Sequence, residues 1–398
     1  MPTIRGWTKL AAVAALGGAL ALGAAPDARA GFVTDGVDYF LAFQDPSTNH
    51  GGFIADADHN NLFYPTNQGR FGSAMLAAYF SSNSSYLNKA KKLGNAIIDA
   101  DNHTSPLTTA TPTLRSQLYF NSGTSDPMIP TQTSYFLLQL SQVTGDTTYS
   151  NYVKVNLWNK LTAGTYGPDS SDPGYTTVGY GPGGVNTAGY IGHLQGISGW
   201  DFLPWFLAKT AVAANMAGET AIRDDLFNLG IIPGLENAAG GYGSYDVYAL
   251  AAAVWASAVT GVNLNPSGHW TASTTAQLAN MLLNYSVGDG GFFADSCGTL
   301  DTNDSCYQTS DAETTAAVIA ALHVVDPYLY QSYVDAGLTY LENLQLPNGY
   351  VPTFSDTDAA HADVLQEFFS ASIPEPTTAA LIGFGLIGLG VTRRRRAA

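Results

Sequence analysis

The stretch DGGFFADS at residues 289–296 has a counterpart far upstream in HGGFIADA at residues 50–57. Both contain Gly-Gly-Phe-x-Ala-Asp, and each is followed by a glutamine, Gln68 or Gln308, and then by an apolar run rich in small residues. Internal repetition of this kind is typical of folds built from repeated structural units. We interpret the two stretches as equivalent turns in two copies of the same repeated unit, and expect their role to be mainly architectural.

Helix-length apolar segments recur in pairs along the chain, and their periodicity favours helix over strand. The first members span residues 33–43, 86–99, 149–161, 220–237, 274–285 and 328–344. The second members span residues 68–80, 131–143, 199–216, 245–259, 311–325 and 358–370. This alternation predicts an all-α protein, an α/α toroid of six outer and six inner helices.

The predicted inner helices are rich in small residues, as in YALAAAVWASA at 248–258, which allow helices to approach closely in a crowded centre. Residues 104–130 and 162–198 are long insertions rich in Gly, Pro, Ser and Thr. Long loops of this kind often build binding surfaces. We expect one toroid domain over residues 31–370, with these loops over one mouth.

Two segments carry a family resemblance. The unit DGGF…YQTSDAETTAAVIAAL and the helix ending YLENLQLPNGY (340–350) resemble the repeat of the squalene cyclase and protein prenyltransferase superfamily. The resemblance is clearest in residues 31–80 and 240–350, and it implies a toroid in which a GGF-type turn joins each outer helix to an inner one. The D-x-D-D motif of the cyclases is missing from the sequence, so a terpenoid cyclase or prenyltransferase-type activity is the least favoured alternative.

The N-terminal 30 residues have the pattern of a secretory signal peptide. Arg5 and Lys9 precede an apolar run at residues 10–22, and Ala28-Arg29-Ala30 is a small-x-small cleavage site. We expect signal peptidase to remove residues 1–30. A membrane anchor is the weaker interpretation, because about 20 apolar residues are needed to span a bilayer.

The C-terminal residues 373–398 resemble the PEP-CTERM sorting tail of Gram-negative bacteria. A Pro374-Glu375-Pro376 triplet, an apolar run at 379–391 and four arginines, 393–396, occur in that order. The resemblance implies a short membrane helix held transiently in the inner membrane, with its arginines in the cytoplasm, and removal by an exosortase. We therefore expect location in the periplasm, at the cell surface or in the extracellular matrix; an uncleaved anchor is the alternative.

The charge of the chain excludes several partners. The formal net charge is −16, and removing both ends takes away seven basic but only two acidic residues. Such a charge disfavours nucleic acid and anionic lipid, which need lysine and arginine clusters, and it also disfavours strongly anionic glycans. A largely neutral polysaccharide fits better.

The two cysteines of the chain, Cys297 and Cys306, lie in one Gly/Asp/Asn-rich loop. In an oxidising compartment we expect them to form a disulfide that holds the shape of the loop. Zinc is disfavoured because histidines are not nearby. The loop acids 301–304 lack a full calcium-binding pattern, so neither a metal nor another cofactor is expected.

The third predicted helix pair carries the densest mixture of functional side chains. Aromatic faces beside carboxylates and amides are what a sugar site needs, and the candidates for substrate binding are Tyr190, His193, Gln195, Trp200 and Trp205. Internal packing of these residues in the core is the other interpretation.

The candidate catalytic residues are Asp201, Asp246 and Asp311, each expected near the start of an inner helix. A capping box over residues 310–313, Ser-Asp-Ala-Glu, offers a structural explanation for the acids at one of these helix starts. We expect an exported protein whose toroid binds or cleaves a largely neutral polysaccharide. If it is an enzyme, it is a glycoside hydrolase with Asp201 as acid and Asp246 or Asp311 as base; otherwise it is a non-catalytic surface or matrix protein.

Overall fold

The computed structural model describes residues 27–44, 54, 65–82, 85–102, 132–158, 191, 203–237, 247–264, 274–293, 309–353 and 357–372. Within these residues the chain is helical apart from turns and three isolated β-bridges.

Six helices form the inner ring: α2 (Pro65–Ser81), α4 (Gln132–Thr144), α6 (Leu203–Ala217), α9 (Val247–Thr260), α11 (Ala312–Val325) and α13 (Asp358–Ser372). Each packs on the next in chain order, and α13 packs on α2, so the ring is closed. The six predicted inner helices are thereby confirmed, and the fold is an α/α toroid.

The outer helices alternate with the inner ones along the chain. They are α1 (Asp27–Leu41), α3 (Ser85–Asn102), α5 (Thr147–Tyr152) with a π-helical continuation (Val153–Leu157), α7 (Thr220–Leu226) and α8 (Ile232–Asn237) joined by a π-helical turn (Phe227–Ile231), α10 (Thr275–Leu282) with a 3₁₀ turn (Leu283–Tyr285), and α12 (Gln331–Leu344). Their amphipathic pattern places one face on the inner ring. A capping box starts α10, in which the Thr274 hydroxyl accepts from the Gln277 amide and the Gln277 side chain accepts from the Thr274 amide.

Loop lengths distinguish the two ends of the toroid. Each outer helix is followed by the connection that leads to the start of an inner helix, and these connections include the long segments 103–131 and 158–202. The return connections at the opposite end are mostly short, such as 145–146 and 218–219. We call the end with the long connections the mouth and the opposite end the base.

The GGF-type turn of the fifth repeat lies within the described residues, whereas of the first repeat's turn only Ile54, which follows the GGF, is described. In the fifth repeat the Phe292 side chain is buried, and its amide donates to the Thr315 hydroxyl of α11 at 2.9 Å. In the first repeat, Gln68 of α2 accepts from the Ile54 amide at 2.8 Å and donates to the Ile54 carbonyl at 2.9 Å. In both repeats a polar side chain near the start of an inner helix therefore satisfies the buried backbone of the turn.

Ring closure depends on buried contacts between the first and last helices. The Val351 amide donates to Nδ1 of buried His361 at 3.1 Å, so Nε2 carries the proton and donates to the Gly36 carbonyl of α1 at 3.0 Å. Phe32 stacks on Phe368 with ring centroids 4.0 Å apart. Helix α1 therefore runs antiparallel to α13, and the first described helix packs against the last.

Two sequence expectations need adjustment. Helix α1 begins at Asp27, not at residue 33, so it includes the last residues of the predicted signal peptide. Arg29 there lies 3.4 Å from Asp335 of α12. The cap of α11 is Asp311 and not Ser310, because Ser310 donates to Asp289 instead.

No helix within the described part of the chain is long and apolar enough to cross a membrane. The predicted membrane segment at 379–391 lies outside the described residues.

Candidate active site

A cavity lies inside the ring between α6, α9, α11 and α13. It contains about 370 Å³ of empty space, including the part that is open to solvent. Alanines of three inner helices form much of its wall and leave room between the larger side chains. Those larger lining residues are Trp205, Lys209, Trp255, Gln366, Glu367 and Ser370.

Asp363 is the centre of a buried charge network. Its Oδ2 accepts from Arg70 of α2 at 2.7 Å, and its Oδ1 accepts from Lys209 of α6 at 2.7 Å. The Tyr248 hydroxyl of α9 lies 3.5 Å from Oδ2. Burial alone would raise the pKa of Asp363, but the two cations hold it below its usual range. Asp363 is therefore ionised, and it connects three inner helices to α13.

The cations of this network are also buried. Arg70 is 8 % exposed, and its guanidinium lies 5.2 Å from the centre of the Trp205 ring. Burial alone would lower the pKa of Arg70, but the charge of Asp363 raises it overall. Glu313 of α11 adds a further negative charge whose field reaches Arg70 and Tyr248.

Glu367, one helical turn after Asp363, behaves differently. Its Oε1 lies 3.5 Å from the Lys209 ammonium, and its buried Oε2 has no hydrogen-bond partner among the described residues. Burial raises the pKa of Glu367 to about 8, and Asp363 adds to the shift while Lys209 opposes it. Glu367 therefore carries a proton at neutral pH and can donate it.

Aromatic rings surround these charges. Trp205 is tilted against Tyr248 with ring centroids 5.6 Å apart, and Trp255 meets Tyr135 of α4 edge to face at 5.9 Å. Burial raises the pKa of Tyr248 well above its ordinary value, so its hydroxyl keeps its proton. The cavity thus combines apolar ring faces with a carboxylic acid, an amide, a hydroxyl and an ammonium group.

Three buried polar atoms on the lining residues have no hydrogen-bond partner among the described residues. They are Glu367 Oε2, Gln366 Oε1 and Trp205 Nε1. A buried polar atom without a partner costs about 1–3 kcal/mol, and a bound hydroxyl group or water can remove that cost. Two of these atoms lie on α13 and one lies on α6.

The structure places two of the residues that the sequence singled out. Trp205 lines the cavity. Asp311 does not: its carboxylate accepts from the Thr314 amide at 2.7 Å, and its charge acts on Tyr340 of an outer helix. Asp311 is thus an N-cap at a helix start, which is a sufficient structural reason for an acid there.

The other candidates lie outside the described residues. They are the acids Asp201 and Asp246, the binding candidates Tyr190, His193, Gln195 and Trp200, and the cysteines Cys297 and Cys306. Among the residues whose positions are described, no group of three His, Cys, Asp or Glu side chains could hold a metal ion.

Sequence reasoning missed Arg70, Lys209, Asp363 and Glu367. A signal was present, since Arg70 and Lys209 are single cations within apolar inner helices, in GRFGSAMLAA and LAKTAVAA. Charges in such positions are rarely buried unless they are paired.

The C-terminal residues 372–396 match the PEP-CTERM protein-sorting motif. The motif indicates an exported protein that is sorted to the cell envelope of a Gram-negative bacterium, where an exosortase processes it. A search among curated proteins finds no match.

Solved structures share the fold. An unsaturated glucuronyl hydrolase specific for heparin is 11% identical, with 87% of this chain and 97% of that chain covered and a TM-score of 0.50. A protein from Actinoplanes is 15% identical, with 86% and 99% covered and a TM-score of 0.50. The GH76A α-1,6-mannanase from Salegentibacter sp. HEL1_6 is 11% identical, with 86% and 98% covered and a TM-score of 0.49. At these identities the likeness concerns the fold: the chain is an α/α toroid with an export and sorting tail.

Proposed function

We propose that this exported toroid acts on a largely neutral polysaccharide, and that the cavity of the ring holds one of its sugar units. The observation that carries the proposal is a set of buried polar atoms on Trp205, Gln366 and Glu367, which line an aromatic-walled space and have no hydrogen-bond partner within the described part of the chain. Sugar hydroxyls can pair with such atoms, and the apolar face of a sugar ring can stack on tryptophan.

We propose glycoside hydrolysis as the reaction, with Glu367 as the general acid. Its raised pKa, about 8, keeps a proton available for the oxygen of the leaving group at neutral pH. Hydrolysis also needs a second carboxylate as the base, and we propose Asp246 or Asp201 for that role. Glu367 thus takes the acid role that we expected of Asp201, and the capping role of Asp311 removes Asp311 as a candidate base.

The second candidate is a non-catalytic binding protein of the envelope or matrix. One observation favours it: Asp363 is held by Arg70 and Lys209, and Lys209 also faces Glu367. In this candidate the charges have a purely structural role, in which they hold the inner helices together, and the cavity binds sugar without turnover. A terpenoid cyclase or prenyltransferase-type activity gains no support from the described residues.

A combined binding and turnover assay separates the two candidates. The mature protein is screened on a glycan array, and the glycans that bind are then tested for release of reducing ends. Hydrolysis predicts that Glu367→Gln abolishes release but keeps binding, because an amide cannot donate the proton. Glu219→Gln, at a half-buried glutamate in the turn before α7, is the matched control and should leave both unchanged.

Each outcome decides between the proposals. Binding without release by the unchanged protein supports the non-catalytic candidate. Release that survives Glu367→Gln removes Glu367 from the mechanism. Binding that survives both Trp205→Ala and Trp255→Ala contradicts the cavity as the sugar site, provided that circular dichroism shows both variants to be folded.

A further inference from the structure

The two ends of the toroid body leave the ring on the same side. The contacts Phe32–Phe368 and Gly36–His361 pair α1 with α13 in antiparallel order. Asp27, five residues before Phe32, and Ser372, four residues after Phe368, therefore both lie toward the base. The apolar runs that precede α1 and follow α13 in the sequence are consequently both attached at the base.

The attachment of the sorting tail is short. Six residues, 373–378, separate the end of α13 from the apolar run at 379–391. An extended residue spans at most about 3.3–3.6 Å, so the base cannot be more than roughly 25 Å from the start of that run. While the tail is held in a bilayer, the base is the part of the body nearest to the lipid.

The base carries an exposed apolar patch at the turn between α11 and α12. Tyr328 is 76% exposed and Leu329 62% exposed, and Val324 and Tyr333 beside them are each 37% exposed. We call these four residues the base patch. Three other connections at this end are polar, with the sequences SNS at 82–84, GD at 145–146 and GE at 218–219. Helix α11 packs directly on α13, so the base patch follows a helix that neighbours the one from which the tail leaves.

We propose that the base patch rests on the bilayer surface while the tail is in the membrane, with Tyr328 and Leu329 at the level of the lipid headgroups. Tyrosine is enriched at this level because its ring is apolar and its hydroxyl is polar. Asp326 adjoins the patch, and the ends of parallel inner helices add partial negative charge at the base. The surface therefore suits zwitterionic lipid better than anionic lipid. The mouth and its loops then face away from the membrane.

Depth-dependent quenching tests this orientation. The exported chain that retains residues 373–398 is inserted into phosphatidylcholine vesicles that contain lipid with a nitroxide near the headgroup. Tyr328→Trp reports on the base patch. The matched control is Val155→Trp, at a 60% exposed position in the π-helical continuation of α5, which leads toward the mouth. The tryptophan emission of the parent protein is subtracted from that of each variant, and the remaining emission of the introduced tryptophan is compared between the two variants. The added emission should be quenched several-fold more strongly for Tyr328→Trp than for Val155→Trp.

The alternatives give different results. Equal quenching of the two added emissions, or quenching of neither, overturns the proposal. A patch that binds a second copy of the chain would instead make the emission added by Tyr328→Trp depend on protein concentration in tail-free protein without lipid, and that result also overturns it. Leu329→Trp in the same turn replaces the first reporter if circular dichroism shows that Tyr328→Trp is not folded.

Discussion

Asp363 and Glu367 lie one helical turn apart on α13, yet their surroundings drive the two carboxyl groups in opposite directions. Asp363 accepts at 2.7 Å from both Arg70 and Lys209, and the two cations keep it ionised. Glu367 meets Lys209 only at 3.5 Å, and burial raises its pKa to about 8. Carboxyl groups with separated ionisation can divide acid and base roles. In this pair Asp363 stabilises the ring, and Glu367 supplies the acid proposed for the chemistry of the cavity.

Loss of the Asp363 charge should destabilise the ring strongly. Asp363→Asn leaves Arg70 and Lys209 buried without their shared anion, and breaking a buried pair in this way costs about 3–5 kcal/mol. Asp335→Asn is the matched control, because Asp335 is 50% exposed in its pair with Arg29, and surface pairs contribute about 0–1 kcal/mol. The free energy of unfolding in urea measures both. Similar losses for the two variants would contradict a structural role for the network.

Glu367 should make the protein less stable as the pH rises. Its pKa in the folded state, about 8, lies above the ordinary value of 4.5, so the folded protein keeps a proton that the unfolded chain releases. The favourable contribution is complete below pH 4.5 and is lost as the pH rises through 8, with a slope of up to about 1.4 kcal/mol per pH unit. Glu367→Gln should flatten this slope between pH 5 and 8, measured as the free energy of unfolding, whereas Glu219→Gln should keep it. An unchanged slope in Glu367→Gln would show that Glu367 is ionised at neutral pH.

The fold could be predicted from the sequence because its signal is local and repeated. The segment 311–325 was predicted from its apolar run, and the helix spans Ala312–Val325. Each helix buries one face on its neighbours, so periodicity and small residues are enough to indicate the ring. The same signal does not give the start of α1, since its first turn lies in a segment that also has the features of a signal peptide.

The charge network could not be predicted in the same way. Arg70 and Asp363 are 293 residues apart and meet only because α13 closes the ring on α2. A single cation in an apolar helix indicates a buried partner but does not identify it. Asp311 shows the converse problem, because an acid at a helix start has the same appearance in the sequence as a cap and as a catalytic group. The cap is what the structure shows.

His361 should make the ring sensitive to acid. Burial lowers its pKa to about 4, although the bond to the Gly36 carbonyl opposes the shift. The folded pKa is below the unfolded value of 6.5, so the contribution of neutral His361 is complete above pH 6.5 and is lost as the pH falls toward 4. Urea unfolding from pH 7 to 4 should show this loss, and His361→Gln, which retains a donor but cannot titrate, should reduce it. A ring-proton NMR titration of His361 centred near 6.5 would contradict the assignment.

The glycines in and just before the DGGFFADS turn should respond differently to substitution by alanine, because only some of them have a constrained backbone. Gly290 has φ 95°, and a Cβ there would lie 2.9 Å from the Ala336 carbonyl oxygen of α12. Gly288, two residues earlier, has open space around it and no such φ. Gly261 separates the effect of the positive φ from that of the close contact, since it has φ 75° but nothing lies within 4 Å of a Cβ built there.

Gly261→Ala should therefore cost only the left-handed backbone conformation, about 1–2 kcal/mol. Gly290→Ala should cost more than this because α12 must also move, and Gly288→Ala should change the free energy of unfolding by less than about 0.5 kcal/mol. Equal effects at Gly288 and Gly290 would mean that the repeated Gly-Gly-Phe stretch is not required by the architecture, and a role for it in ligand binding would then have to be tested.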